Sequence, residues 1–278
     1  NTTNNNTQAV IGELVEYEMV LTVPEGTTPE AALVNTLPAG LSLAEFTSVT
    51  LSPGLTSSTV TNLGSLLTNT TASGNNFTLN LGTLTNTNTD NATAETITVK
   101  FKAVVTNIAS NQSGKVLDHK TAKFNWKANN IVQSANAIDA DAVSNQVAVV
   151  EPDVIITKDV VVNGSGSLGD AGDPFEYTIK ISHAANNPDA FELAFKDVLN
   201  GKLTGTTIAS VTDTAGTLTS SSFEIVGGTL QLKSGIDVDL VGSRDIVIKV
   251  KGNLSAAVTP NETIDSDATI TWTSLNGD

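Results

Sequence analysis

The sequence has 278 residues, of which 29 are acidic and 14 basic, so its net charge is −15, and it contains no cysteine and two histidines. The missing cysteines exclude a disulfide scaffold, a cysteine-ligated metal site and thiol catalysis. Because Arg244 is the only arginine, the chain also lacks the clustered basic residues that bind nucleic acid.

Hydrophobic residues make up 39 % of the chain, which is too many for a disordered acidic protein. No stretch approaches the roughly 18 consecutive apolar residues of a membrane-spanning helix. We therefore predict a folded protein with no membrane insertion and no nucleic-acid partner. The abundance of Thr and Asn beside few Lys residues is typical of secreted bacterial proteins, so the predicted location is the bacterial cell surface.

Apolar and polar residues alternate with a period of two in four segments, a pattern that predicts half-buried β-strands. The apolar members, in chain order, are Val15, Tyr17, Met19, Leu21 and Val23; Ile97, Val99 and Phe101; Phe175, Tyr177, Ile179 and Ile181; and Ile246, Ile248 and Val250. Clusters of Asn, Gly, Ser and Thr separate the segments, as turns do. The best helical candidate is PEAALVN at residues 29–35, which is short enough to be a single turn or part of a strand.

Four motifs recur in the same order in the two halves of the chain. IGELVEY at residues 11–17 matches AGDPFEY at 171–177, and LPAGL at 37–41 matches LNGKL at 199–203. ETITVKF at 95–101 matches RDIVIKV at 244–250, and AKFNW at 122–126 matches ATITW at 268–272. The repeat predicts an all-β chain of two tandem sandwiches, residues 1–150 and 151–278, with the joint at Glu151-Pro152-Asp153.

VAVVEPDVIITK at residues 147–158 and DAGDPFEYTI at 170–179 resemble the Ig-like repeat of very large bacterial surface adhesins, which is related to isopeptide-forming fimbrial domains. The resemblance implies two tandem Ig-like domains that act as a stalk or spacer, with neighbouring repeats as partners and no catalysis. In that register the first repeat lacks a leading strand equivalent to residues 154–162, and the second ends before a closing strand equivalent to residues 144–150. The parent protein is therefore expected to continue at both ends.

Lys158 is the sharpest local feature, because it shares the apolar phase of VIITKDVVV with Val154, Ile156 and Val160. Asp197 is in phase with apolar neighbours in the same way. A buried lysine beside a buried acid is what a self-formed isopeptide bond requires, since the acid can shuttle protons to a carboxamide. The alternative is an ordinary salt bridge, or a lysine that extends its ammonium to the sheet edge.

The resemblance places the third isopeptide residue, an Asn, on the closing strand. Asn145 occupies this position in repeat one, where Thr36 stands at the place of Asp197. In repeat two, Asn276 is the nearest candidate.

Calcium is the one cofactor that the sequence suggests, because acidic residues recur in pairs and calcium binds hard oxygen ligands. The predicted ligands are Glu151 and Asp153 at the joint, with Asp170 and Asp173 in a Gly-rich loop. Further acid pairs are Asp139/Asp141, Asp237/Asp239 and Asp265/Asp267. The alternative is a solvated acidic surface that keeps the protein soluble.

No catalytic motif accompanies His119 or His183, so both are predicted to be exposed loop residues and the protein is predicted not to be an enzyme. Trp126 and Trp272 share the phase of apolar neighbours and are predicted to lie in the core or on a sheet face. The predicted function is a stalk or spacer of a surface adhesin or fibre. The alternative is an adhesin domain that binds glycans or proteins of host or environmental surfaces, with calcium or without it, through the loops at residues 56–76 and 84–93.

Overall fold

The computed structural model describes residues 7–90, 92–136, 146–184 and 187–277. The chain divides into two compact units, Asn1–Val150 (unit 1) and Glu151–Asp278 (unit 2). Both are built almost entirely of β-strands, which confirms the predicted all-β fold class.

Unit 1 contains twelve strands and one short helix among its described residues. They are β1 (Gln8–Ala9), β2 (Leu14–Thr22), β3 (Gly26–Thr36), β4 (Leu41–Leu51), β5 (Leu55–Ser57), α1 (Leu63–Thr68), β6 (Thr70–Ser73), β7 (Asn76–Asn86), β8 (Thr96–Val105), β9 (Val116–Asp118), β10 (Thr121–Ala128), β11 (Ile131–Asn136) and β12 (Gln146–Val149). One sheet has the order β2-β8-β4, the largest has the order β11-β10-β3-β7-β5 with β6 also on β7, and a small one has the order β1-β12-β9.

Unit 2 contains eight strands and one turn of 3₁₀-helix (Ser220–Ser222) among its described residues. The strands are β13 (Val154–Val162), β14 (Pro174–His183), β15 (Phe191–Val198), β16 (Leu203–Asp213), β17 (Phe223–Val226), β18 (Thr229–Leu232), β19 (Ile246–Leu254) and β20 (Asp267–Thr273). They form the sheets β13-β14-β19-β16 and β17-β18-β15-β20. If β17 and β18 are set aside as an inserted hairpin, the first sheet has the A-B-E-D strand order of a constant-type immunoglobulin sandwich.

The core of unit 2 lies between its two sheets, because alternating side chains from both pack into one buried cluster. Tyr177, Ile179 and Ile248 come from one sheet, and Phe195 and Leu230 from the other. Trp272 is half-buried and packs against the same cluster, which confirms the prediction of a sheet-face residue. In unit 1, Trp126 is half-buried and stacks on Phe124 with ring centroids 5.2 Å apart.

The helical candidate at residues 29–35 is part of strand β3 instead. Ala31, Leu33 and Asn35 are buried at every second position. The helical pattern arises from a bulge at Glu30, which has a φ of 48° and interrupts the alternation. Unit 2 repeats this bulge in β15, where Glu192 has a φ of 54°.

His119 is buried, with 8 % of its surface exposed, and His183 is half-buried at the end of β14. The prediction that both are exposed loop residues is therefore wrong. The reason is tertiary, because the turn between β9 and β10 folds the His119 ring edge-on against Tyr17, with centroids 4.9 Å apart.

Candidate functional site

Lys158 and Asp197 form a buried ion pair in unit 2. Lys158 lies on β13 with 16 % of its side chain exposed, and Asp197 lies on β15 of the facing sheet with 0 % exposed. Lys158 Nζ donates to both carboxylate oxygens, at 2.8 Å to Oδ1 and 2.7 Å to Oδ2. The pair therefore joins the two sheets of the sandwich through its core.

Two further side chains complete this cluster. Ser266 Oγ donates to Asp197 Oδ1 at 2.8 Å and accepts from Lys158 Nζ, and the ammonium lies 4.6 Å from the centre of the Tyr177 ring, a cation–π contact. Burial raises the pKa of Tyr177, and the charges of Asp197 and Asp265 raise it further. The sequence analysis did not identify Ser266. The signal for it is its position two residues before Ala268, which places both side chains on the same, inward-facing side.

Asn276 lies far from this cluster. β15 and β20 are antiparallel, so Asp197 pairs with Ala268 at one end of β20 while Phe191 pairs with Thr273 at the other. Asn276 follows Thr273 and donates to Asp239 Oδ2 at 3.3 Å. Six residues of strand, about 20 Å, separate the two ends, so Asn276 cannot supply the carboxamide for Lys158.

The isopeptide assignment otherwise remains a prediction. Asn145, the candidate in unit 1, lies outside the described residues. Within the described residues, the hydrogen-bond acceptors of Lys158 belong to Asp197 and Ser266, and none is a carboxamide. The arrangement seen is the ordinary buried salt bridge that the sequence left open as the alternative.

Unit 1 has Asn35, rather than Thr36, at the position of Asp197. Asn35 pairs with Ala122 across β3 and β10, as Asp197 pairs with Ala268 across β15 and β20. The placement of Thr36 there is therefore wrong by one residue: Asn35 precedes Leu37 by two residues, as Asp197 precedes Leu199 in the matching motif. A one-residue shift moves a side chain to the other face of the sheet.

Around Asn35, unit 1 builds a neutral counterpart of the Lys158 cluster. His119 Nε2 lies 2.7 Å from Asn35 Oδ1, and the His119 ring packs edge-on against Tyr17, the counterpart of Tyr177. Burial lowers the pKa of His119 below its ordinary value, with the Asp118 charge opposing this, while burial and Asp118 together raise the pKa of Tyr17 to about 12. His119 is thus kept uncharged where unit 2 holds an ammonium.

The predicted calcium ligands do not converge in the structure. Within the described residues there is no group of three or more His, Asp or Glu side chains that could hold a metal ion. Asp173 instead accepts a 2.8 Å hydrogen bond from the backbone N–H of Asp170. This bond and one from Asn163 lower the pKa of Asp173. Asp153 accepts from the Ala184 N–H through its carbonyl, and Asp139 and Asp141 lie outside the described residues.

A second buried ion pair in unit 2 was not predicted. Arg244 donates to Asp213 through Nε at 2.9 Å and through a terminal nitrogen at 2.8 Å, and the two side chains are 11 % and 0 % exposed. Burial alone would raise the pKa of Asp213, but hydrogen bonds from Arg244 and from the N–H groups of Leu218 and Ala215 hold it well below its usual range. The pair fixes the turn after β16. The only sequence feature that could have indicated this pair is that Arg244 is the single arginine of the chain.

The segments proposed as ligand-binding loops contain regular secondary structure. Residues 56–76 include α1 and β6. An open groove of about 450 Å³ in unit 1 is lined by Leu43, Ala44, Glu45, Phe46, Leu67, Thr70 and Ala72. Phe46, the aromatic residue of this lining, is buried, so the described part of the groove presents no exposed ring on which a sugar could stack.

No family model matches the chain, and no curated protein matches it. Among solved structures, it is similar to the 35 kDa C-terminal fragment of the major pilin GBS80 of Streptococcus agalactiae, with 13 % identity, a TM-score of 0.35, and 96 % of this chain and 87 % of that chain covered.

Two further solved structures show weaker similarity. One is a protein of Corynebacterium diphtheriae described as membrane anchored, with 7 % identity, a TM-score of 0.22, and 96 % and 85 % of the two chains covered. The other is a chain of a chaperone–tip adhesin complex of CFA/I fimbriae biogenesis, with 11 % identity, a TM-score of 0.25, and 98 % and 96 % covered. At TM-scores this low the chain paths differ over much of their length, so these similarities add nothing to the functional argument. Among the described residues, no helix is long and apolar enough to span a membrane.

Proposed function

We propose that the chain is a structural module of an extracellular fibre or stalk on a bacterial surface, in which β-sandwiches in series set length and bear load. The observation that carries the proposal is the way unit 2 holds its first strand. All nine residues of β13 pair with β14 in an antiparallel ladder. Because ladder hydrogen bonds lie perpendicular to the strands, a force along β13 loads them together.

The Lys158–Asp197 pair supports this role because it ties β13 to the opposite sheet. Removing β13 would require breaking the ladder and leaving the fully buried Asp197 carboxylate without its cation. Such a charge is costly in the core, so the pair resists the first step of unfolding. The acidic surface, with a net charge of −15, keeps neighbouring copies from associating.

Single-molecule pulling on the two ends of the chain tests the proposal. We expect two unfolding steps, one for each unit, with the shorter gain in length from the 128 residues of unit 2. Lys158→Met should lower the force of that step alone. The matched control is Lys249→Met, which removes a half-exposed pair with Glu176 on the same sheet and should leave both steps unchanged.

If Lys158→Met is too unstable to study, the double variant Lys158→Met/Asp197→Leu removes both charges and keeps the core filled. An unfolding force for unit 2 that is the same in wild type and Lys158→Met would contradict a load-bearing role. Saturable binding of the wild-type chain on a glycan array, with or without calcium, would instead favour the carbohydrate-binding alternative.

A further inference from the structure

We propose that the open edge of β2 in unit 1 is an acceptor site for one added antiparallel strand of the β13 type, supplied by the same polypeptide on the N-terminal side of unit 1. The inference goes beyond the structural role proposed above and does not depend on it. Three independent features of unit 1 support it: an open strand edge, partly uncovered inward side chains, and buried polar atoms without partners.

The first feature is the edge itself. In unit 2, β14 lies between β13 and β19. Its counterpart in unit 1, β2, pairs among the described residues with β8 alone. The two strands correspond because Tyr17 pairs with Phe101 where Tyr177 pairs with Val250. A nine-residue edge of this kind is a template for a further strand.

The second feature is the burial of side chains that point toward the core. In unit 2, where β13 is present, Phe175, Ile179 and Ile181 on β14 are only 3 %, 0 % and 2 % exposed. Their counterparts on β2, Val15, Met19 and Leu21, are only half-buried. An added strand would supply the apolar cover that β13 gives in unit 2, which is the main energetic gain of docking.

The third feature is a group of buried polar atoms: Tyr17 Oη, Asn35 Nδ2 and Asp118 Oδ1 have no hydrogen-bond partner among the described residues. Unsatisfied buried polar groups are rare and costly. In unit 2, the Lys158 ammonium bonds to Asp197 and lies over Tyr177. In unit 1, His119 packs on Tyr17 and bonds to Asn35 Oδ1, but it leaves these three atoms without partners in the described part of the chain. An incoming polar side chain beside His119 would serve them.

The pairing of unit 2 predicts the register of the added strand. Lys158 pairs with Ile179 of β14, whose counterpart is Met19, so the polar residue belongs opposite Met19. Asp159 pairs with Thr178, whose counterpart is Glu18, so a residue without negative charge belongs at that position. Eleven residues connect β13 to β14, and thirteen residues precede β2. Of these, Gln8 and Ala9 pair with β12 as β1, so an added strand would connect to β2 through β1.

The test fuses a nine-residue strand ahead of Asn1 in the full chain. The sequence VIITKTVVV keeps the β13 pattern and replaces the acid opposite Glu18, and VIITLTVVV is the matched control with an apolar centre. We expect VIITKTVVV to slow hydrogen–deuterium exchange of the β2 amides about tenfold or more relative to the unextended chain, because those amides gain backbone partners. VIITLTVVV should protect them less.

A second readout is the thermal midpoint of unit 1, followed through Trp126 in a Trp272→Phe background, with amide exchange in unit 2 as the internal control. The midpoint should rise with VIITKTVVV. Equal exchange at β2 with and without the extension overturns the proposal, and equal protection by VIITLTVVV overturns the polar register. A dimer of the unextended chain with protected β2 amides would assign the edge to a second copy. Protection by the free peptide but not by the fused strand would overturn the N-terminal source.

Discussion

Arg244 and Asp213 form the second buried ion pair of unit 2, and loss of either residue should destabilise that unit. The guanidinium meets both carboxylate oxygens, and another of its nitrogens donates to the Asp239 carbonyl at 2.6 Å. This planar, bidentate geometry is one that a lysine cannot reproduce. The pair also anchors the Thr217 N–H, which donates to Asp213 at 2.9 Å.

We predict that Arg244→Met destabilises unit 2 by about 3–5 kcal/mol, because it leaves a buried carboxylate without its cation. Urea unfolding followed through Trp272 measures the change. Lys249→Met is the control, since its half-exposed pair with Glu176 contributes roughly 0–1 kcal/mol. A change for Arg244→Met no larger than that of the control would contradict the role of the pair.

His119 makes the stability of unit 1 depend on pH. Its pKa in the folded chain lies below the ordinary 6.5, so below pH 6.5 the unfolded chain binds a proton that the folded chain does not. The free energy of unfolding of unit 1 therefore falls as the pH drops from 6.5 toward the folded pKa of His119. Above pH 6.5 this loss of stability is absent.

We predict that His119→Gln, which keeps a polar partner for Asn35, removes this dependence. Thermal midpoints of unit 1 between pH 5 and pH 8, read through Trp126 in a Trp272→Phe background, give the measurement. His183→Gln serves as the control and should retain the wild-type dependence. A wild-type midpoint for unit 1 that does not change across this range would show that His119 is not held neutral by folding.

At the scale of elements, β13 is joined to the rest of unit 2 by its ladder with β14, by apolar side chains such as Val154 and Val162 in the core, and by the ion pair of Lys158 with Asp197 on β15. The pair crosses between sheets, so its two residues are coupled in stability. Lys158→Met alone should destabilise unit 2 by about 3–5 kcal/mol, whereas Lys158→Met/Asp197→Leu should recover most of the loss because no charge is then buried unpaired.

The double-mutant cycle is completed by Asp197→Leu and measured by urea unfolding through Trp272. Additive single effects would mean that the two residues do not act as a pair in solution, despite a separation of 2.7 Å.

Strand pairing also shows which elements were predictable. Strands β2, β8, β14 and β19 follow the period of two, because each has one face in a core. The bulged strand β3 could not be placed this way, because Glu30 breaks the alternation and shifts every later residue by one. The bulge does not displace Asn35 from Asp197, because β15 carries the same bulge at Glu192 and the match of Leu37 with Leu199 places the two residues together.

For the whole molecule, covalent crosslinking leaves a mass signature. The described surroundings of Lys158 contain a carboxylate and a hydroxyl but no carboxamide bonded to it. We predict that the intact mass of the chain equals the mass of its sequence. Loss of one ammonia or one water would show a crosslink, and a chain extended through a closing strand with an Asn is the form in which the isopeptide hypothesis expects that loss.

Because the chain has a net charge of −15, calcium can affect its stability through the acidic surface as a whole as well as through a specific site. If Glu151, Asp153, Asp170 or Asp173 hold calcium, adding the ion to chelated protein should raise the thermal midpoint, since a ligand that binds only the folded state stabilises it. Magnesium at equal concentration is the control for screening of the acidic surface. Equal midpoints with calcium and with chelator would contradict the calcium prediction.

The sequence by itself determined the all-β class, the alternating faces of most strands and the inward positions of Lys158 and Asp197, because these depend on a local period of two. Only the tertiary structure decided that Ser266 joins that pair, that His119 is buried against Tyr17, and that Asn276 lies at the far end of β20. Each of these depends on where a turn returns the chain, and turns composed of Asn, Gly, Ser and Thr carry no period from which that path could be read.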